Sequence, residues 1–373
     1  MPSVADCFRQ HAPAYLQQHG DRVPLGHLKV IHAINRCQSG ELGYVNFQCE
    51  SCGKEHWTGR SCGNRHCANC GSHKSSQWLE KQTARLLPTH YFLVTFTVPK
   101  QLRFVLRGSQ RDGYAAIFDA GSEAIRTVAS ASKYLRGCQL GFFGVLHTWG
   151  RDVAVYHPHV HFVVPGGGVN EAEGVWQQTP ENFFLPHAAL SKVYKAKFAD
   201  HLRASGLYDQ VDASAWQPQW TVDIKPVGSG SASLKYLAAY VHRVGISDKR
   251  IVAIDSENVT YRYTPSGETR SRTKPVRGTE FIRAVVQHTL PSGFQKIRYY
   301  GWQSPNSRID NEEVRWLVML YLGLAFCLWA YTKSPQSAGP RCKDCGGNLR
   351  TISVIDHEGR VLYQNALGYL DSG

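Results

Sequence analysis

An α+β fold, with an antiparallel sheet covered on one face by helices and a small metal-held module near the N-terminus, follows from three observations on this 373-residue sequence. Its β-rich runs come as hairpins with turn chemistry between them. Segments of helical period separate those runs. Six of its eleven cysteines fall between Cys37 and Cys70. Strands joined by short turns pair antiparallel, whereas strand–helix–strand alternation would build a parallel sheet. No Gly-x-Gly-x-x-Gly and no P-loop pattern is present, so no nucleotide cofactor is expected.

In chain order, residues 25–78 are rich in Cys, His and Gly, as small metal-held modules are. The run Tyr91–Val98 is β-rich and stopped by Pro99, which predicts a central strand. Tyr114–Leu135 carries helical spacing. Gly141–Trp149 and Val153–Val164 read as two strands of a hairpin turning at Gly150-Arg151-Asp152. Gly166-Gly167-Gly168 then closes the hairpin and opens a polar loop. Helices are expected over Ala188–Leu202, Leu234–Arg243 and Thr279–His288, with Gly228–Ser233 as a flexible lead-in to the second. Strands are expected over Trp220–Pro226, Ile251–Ile254 and Val259–Tyr263, followed by a basic loop with Arg270, Arg272, Lys274 and Arg277. Trp316–Tyr331 is an uncharged run of 16 residues. It falls short of the ~18–20 apolar residues that cross a bilayer, so a buried helix is expected and no membrane partner.

Forty-two Lys plus Arg against 29 Asp plus Glu give a net charge of +13, spread along the chain. A basic folded surface fits a polyanion such as nucleic acid. Met1–Gly20 is polar and lacks the apolar stretch of an export signal. Clustered cysteines in such a chain read as metal ligands in a reducing compartment.

Cys49-x-x-Cys52 and Cys67-x-x-Cys70 are two knuckles separated by 14 residues. Zinc takes four soft ligands in a tetrahedron, and each knuckle supplies two thiolates, so Cys49, Cys52, Cys67 and Cys70 are the expected ligands of a structural zinc. Cys37, His56, Cys62 and His66 lie around them and could replace a ligand or build a second site. Arg60, Arg65, Lys74 and Trp78 would give the module a DNA-facing surface. Cys342-x-x-Cys345 is half a site, which either borrows ligands from elsewhere, such as His357, or is a relic.

His157-Pro158-His159-Val160-His161 lies on the second strand of the hairpin. Residues two apart on a strand share a face, so His159 and His161 project together and can hold a divalent cation. His147, across the hairpin, is the preferred third ligand, and His157 its rival. Tyr236 and Tyr240 are four apart on an expected helix and share a face. Taken alone, such a pair belongs in a core; beside a histidine pair, a basic chain and a Gly-Ser lead-in it points to chemistry. Lys225, His242 and Arg243 flank the tyrosines and can meet phosphates.

His-hydrophobic-His on a strand with tyrosines on a later helix resembles the HUH endonucleases. Within them the chain is similar to the two-tyrosine transposases of bacterial rolling-circle insertion sequences. The resemblance rests on Ser61–Cys70, His157–His161, Tyr236–Arg243, Glu280–Arg283, and Leu290–Phe294 with Arg298 and Gly301, and it spans residues 15–305. It implies a zinc-binding DNA-recognition module over 1–85, an HUH nuclease core over 86–250, a helical DNA-contacting extension over 251–335 and a tail with the last Cys pair over 336–373. It also implies Mg²⁺ or Mn²⁺ at the histidines, Tyr236 and Tyr240 as nucleophiles, and cleavage and rejoining of single-stranded DNA at element ends and target through a 5′-phosphotyrosine. The site of action would be the nucleoid of a bacterial cytoplasm. A plasmid or phage rolling-circle replication initiator shares this chemistry, and a non-catalytic zinc DNA-binding protein would share only the module.

Overall fold

The computed structural model describes residues 2–241, 245–265, 267–323 and 339–365. The N-terminal part comprises α1 (Val4–His19), α2 (Leu25–Arg36), the hairpin β1 (Tyr44–Cys49) and β2 (Glu55–Gly59), and α3 (Gly71–Ala84). Then follow β3 (Tyr91–Thr97), α4 (Arg103–Gly108), α5 (Gln110–Ser130), β4 (Cys138–Gln139), β5 (Phe142–Trp149), β6 (Tyr156–Pro165), β7 (Gly167–Asn170) and β8 (Val175–Gln178). The chain continues through α6 (His187–Ala204), β9 (Val222–Pro226), α7 (Ser231–Val241), β10 (Ile251–Ile254), β11 (Asn258–Tyr263), β12 (Arg272–Arg277) and α8 (Gly278–Val286). The last elements are β13 (Ile297–Tyr300), α9 (Asn311–Leu322), β14 (Leu349–Ile355) and β15 (Val361–Gln364).

The centre is a five-stranded antiparallel sheet in the order β13-β5-β6-β3-β9, so the fold is α+β as the hairpin pattern predicts. Strand alternation sorts its side chains. Phe92, Val94 and Phe96 of β3 join Phe142, Val160 and Phe162 on one face, under Ile117, Phe118 and Ile125 of α5 and Tyr194 and Phe198 of α6. Two glycines permit that close seating: a Cβ on Gly121 or Gly144 would stand 2.7 or 2.6 Å from the Phe162 ring.

The opposite face is divided. Phe143, Val145 and Val163 pack against Leu234, Leu237 and Val241 of α7 and Trp78 of α3. Further along the same strands His147, His159 and His161 occupy that face, by the register Val145↔His161 and His147↔His159. The expectation of helices on one face alone is thus corrected: α3 and α7 cover the apolar end of the second face and leave its histidine end to a cleft.

Several local expectations change with tertiary context. Gly167 and Gly168 open no loop but a strand, β7, paired with β4 and β8. The basic segment is edge strand β12, paired with β11 and tolerating Pro275 because an edge needs no donor on its outer side. The Gly-Ser lead-in is held: Tyr91 N donates to Gly228 O at 2.7 Å, and Gly228 and Gly230 take φ of +53° and +77°. Within the stretch expected as a C-terminal extension, β13 joins the central sheet and α8 packs on α1. Phe8, Ile31 and Ile34 share a second core with Tyr261, Phe281 and Ile282. In the expected tail, β14 pairs with β1.

Of the uncharged run, Trp316–Leu322 belongs to α9, whose Val314 and Val318 are buried while Trp316, Leu320 and Tyr321 are exposed. This part is amphipathic and not the buried helix expected; residues 324–331 lie outside the described residues. Among the described residues no helix is long and apolar enough to cross a membrane.

Candidate active site and metal centres

The β5–β6 hairpin builds a histidine triad. Val160 turns into the core while His159 and His161 face the other way, and antiparallel pairing sets His147 directly across from His159. The ring nitrogens that His147, His159 and His161 offer lie within 4.8 Å of one another. His159 Nε2 and His161 Nε2 are 3.0 Å apart. Adjacent ligands of a six-coordinate ion with bonds of about 2.1 Å stand about 3.0 Å apart, so the pair fits one edge of such an octahedron.

The outer ring nitrogens support that reading. His159 Nδ1 donates to the His157 carbonyl at 2.7 Å, which leaves the Nε2 lone pair directed inward. His161 Nδ1 lies 2.9 Å from Thr95 Oγ1, a residue that β3–β6 register sets beside it. Burial holds all three imidazoles neutral, with the His161 pKa brought down to about 4 by desolvation and then by Lys225, and neutral imidazole is the form that ligates. His157, the rival ligand, instead accepts from Arg103 at 2.8 Å through its Nδ1. The His147 ring stacks on Trp149 at 5.0 Å, and Lys296 Nζ stands 4.5 Å from the indole.

Helix α7 brings Tyr236 to this triad. Its ring centroid is 6.0 Å from His161 and 6.4 Å from His147, and the residue is 49% exposed, so it is not a core tyrosine. It lines a cleft of about 1350 Å³ with the triad, Thr95, Arg103, Lys225 and Arg262. Lys225 pairs with Asp223 at 3.0 Å, both well exposed, a contact weak enough for a phosphate to displace. Tyr240 stands one turn further along α7, and only its backbone is described; His242 and Arg243 lie outside the described residues.

The cysteines form two clusters, not the single Cys49, Cys52, Cys67, Cys70 set expected from spacing. Cys37, Cys62, Cys67 and Cys70 make one; Cys49, Cys52, Cys342 and Cys345 make the other. In the first, Cys37–Cys70, Cys62–Cys70 and Cys37–Cys67 sulfur separations are 3.6, 3.5 and 3.6 Å. A zinc tetrahedron with bonds of about 2.3 Å has edges of about 3.8 Å, and a disulfide would be near 2.05 Å. The arrangement suits a closed structural zinc.

Of the residues expected to face DNA, Lys74 is exposed, Arg60 and Arg65 are partly buried and committed to carbonyls, and Trp78 is buried. Arg65 donates to the Phe294 and Pro291 carbonyls at 2.6 and 2.7 Å, and His66 Nε2 accepts from Leu290 N at 3.0 Å. Trp78 is buried edge-on against Phe143, and Arg60 donates to the Leu42 carbonyl. Sequence reasoning missed Thr95, Arg103 and Trp149 as partners of the histidines; Thr95 comes from pairing across distant strands and Arg103 from α4, whereas Trp149, two residues from His147 on β5, was legible from strand alternation.

Residues 141–310 match a family described as "Putative transposase", and residues 7–98 match a "Transposase zinc-binding domain" of the IS91 type. The chain is similar to "Putative transposase y4qJ" of Sinorhizobium fredii, 32% identical over 97% of this chain and 94% of that one. It is also similar to "Transposase for insertion sequence element IS801" of Pseudomonas savastanoi pv. phaseolicola, 25% identical over 71% of this chain and 67% of that one. No solved structure matches the chain.

Proposed function

We propose that this chain, which belongs to the family of transposases with an IS91-type zinc-binding domain, cleaves and rejoins single-stranded DNA through a 5′-phosphotyrosine intermediate. Membership implies nuclease and strand-transfer activity on DNA; the tyrosine chemistry, the divalent ion and the single-stranded substrate are our reading of the site. The observation that carries it is Tyr236, half exposed in a wide cleft and set against two imidazoles of a buried triad. DNA at the ends of a mobile element and at its target is the substrate, which places the protein at a bacterial nucleoid.

Phenol is a weak nucleophile at neutral pH, with a pKa near ~10. Mg²⁺ or Mn²⁺ held by His147, His159 and His161 would polarise the scissile phosphate and favour the charge that builds on it. Imidazole ligands suit Mn²⁺ better. Tyr236 loses its proton and attacks phosphorus, the new O–P bond forms, the P–O3′ bond breaks, and the departing 3′ oxygen takes a proton. The phosphodiester is conserved as a tyrosyl ester, so a 3′-hydroxyl can reverse the step without ATP. Tyr240 takes the second strand while Tyr236 holds the first. Lys225 and Arg243 steady the backbone phosphates.

Incubation with an element-end oligonucleotide and Mn²⁺ should leave a covalent protein–DNA band on a denaturing gel. Tyr236→Phe and Tyr240→Phe should each retain part of it or lose one step of transfer, and the double variant should retain none. An adduct in the double variant would assign the nucleophile elsewhere, and no adduct in the wild type would leave a zinc DNA-binding protein.

A further inference from the structure

We propose that the second cysteine cluster is a structural zinc site assembled from the two ends of the chain, so that metal ties the C-terminal tail into the N-terminal module. Its ligands are Cys49 and Cys52 from the β1–β2 turn and Cys342 and Cys345 just before β14. The tail pair lies beyond both stretches matched by the family comparisons, which end at residues 98 and 310.

The two halves are the same device made twice. In Cys49-Glu50-Ser51-Cys52-Gly53, Cys49 N donates to Lys54 O at 2.9 Å and Gly53 N returns to Cys49 O at 2.9 Å. In Cys342-Lys343-Asp344-Cys345-Gly346, Cys342 N donates to Gly347 O at 2.8 Å and Gly346 N returns to Cys342 O at 3.0 Å. Gly53 and Gly346 have φ of +73° and +76°, the left-handed turn that a zinc knuckle closes on. Both knuckles direct an amide at a sulfur: Cys52 N to Cys49 Sγ at 3.5 Å and Gly347 N to Cys345 Sγ at 3.4 Å. Such amide donors favour thiolate at the sulfur they face.

Across the halves, Cys49–Cys345 and Cys52–Cys342 sulfurs stand 3.4 and 3.8 Å apart, near the ~3.8 Å edge of a zinc–thiolate tetrahedron. His56 Nε2 lies 3.3 Å from Cys342 Sγ, placed to donate to that thiolate. The approach is tight enough that a Cβ on Gly347 would meet Cys49 Sγ at 3.0 Å. His357, the partner first considered for the tail pair, is on the other side of β14 and pairs with Glu358.

Apart from the cysteines, the tail is held by strand pairing, by Arg350 donating to Gln48 Oε1 at 2.8 Å and by an exposed Lys54–Asp344 pair at 3.2 Å. β14 pairs with β1 from Tyr44↔Ile355 to Cys49↔Leu349, completing the sheet β15-β14-β1-β2. Val361, Leu362 and Tyr363 of β15 are exposed, so the outer strand of this four-stranded sheet buries little apolar surface, and a metal would add a second tie between the two chain ends. Two thiolates from either knuckle fill half of a zinc shell; only the docked tail fills it.

Full-length protein stripped of metal and titrated with Co²⁺ separates this site from the histidine triad, since only thiolate ligands give the intense near-ultraviolet sulfur-to-cobalt band. The band should saturate at two equivalents per chain in the wild type. Cys342→Ser with Cys345→Ser should halve it, remove one zinc per chain as purified, and leave the Cys37 cluster loaded. Saturation at one equivalent in the wild type would overturn the proposal without reference to any variant's folding. So would a double variant that keeps the wild-type band and zinc content. Neither result touches the tyrosine chemistry, which the adduct assay reads separately.

Discussion

Thr95 is the smallest group on which the candidate metal site depends. Its hydroxyl lies 2.9 Å from His161 Nδ1, where it can accept from an Nδ1–H and so hold the ring with Nε2 turned to the site. Valine keeps the shape and removes the oxygen, leaving His161 free to rotate or change tautomer. Thr95→Val should weaken Mn²⁺ binding by roughly 10-fold, the low end for loss of an outer partner of a ligating histidine. Adduct yield measured against Mn²⁺ concentration should shift to the right and recover at high metal, with DNA binding unchanged. Identical metal dependence would show that the hydroxyl does not orient the ligand. Arg65 makes the complementary point: its charge suggests DNA, yet its guanidinium is committed to two carbonyls of the Leu290–Phe294 turn. That contact joins the Cys67 knuckle to the loop before β13.

Helix α7 is the element that turns a tyrosine pattern into a candidate nucleophile. Leu234, Leu237 and Val241 pack on the sheet, which leaves Tyr236 at the cleft edge. Where the helix begins is set by Gly230, at φ +77° with a would-be Cβ 2.9 Å from the Tyr91 ring. Gly230→Ala combines left-handed strain with a clash, at a cost of about 1–3 kcal/mol. A lower Tm and loss of most of the adduct are expected, while Mn²⁺ affinity at the histidines stays as in the wild type. Full adduct yield in that variant would mean the start of α7 does not position Tyr236.

At the scale of the molecule, the net charge of +13 and the cleft with Arg103, Lys225 and Arg262 set the response to salt. Each phosphate neutralised by a Lys or Arg releases condensed counterions. A protein making about 6–10 such contacts loses roughly 10³–10⁵ in affinity between about 50 and 200 mM salt. Fluorescence anisotropy with a single-stranded oligonucleotide should show a steep linear fall of log affinity with log salt. A flat response would remove the polyanion from the account.

Strand alternation, helical spacing and turn residues are local, and the sequence alone determined what depends on them: the hairpin, the shared face of His159 and His161, the knuckles and the α+β class. Pairing at long range is not written in any local period. Nothing in the spacing of Cys342 and Cys345 names Cys49 and Cys52, 290 and more positions away, as their neighbours. The notion of one zinc shared by Cys49, Cys52, Cys67 and Cys70 followed from sequence proximity, and the fold draws those two knuckles to different partners. Thr95 beside His161, β13 at the edge of the sheet and Arg65 turned inward have the same origin. Each is settled by which surfaces bury apolar area together and which backbone edges remain to be paired, and those are properties of the packed chain.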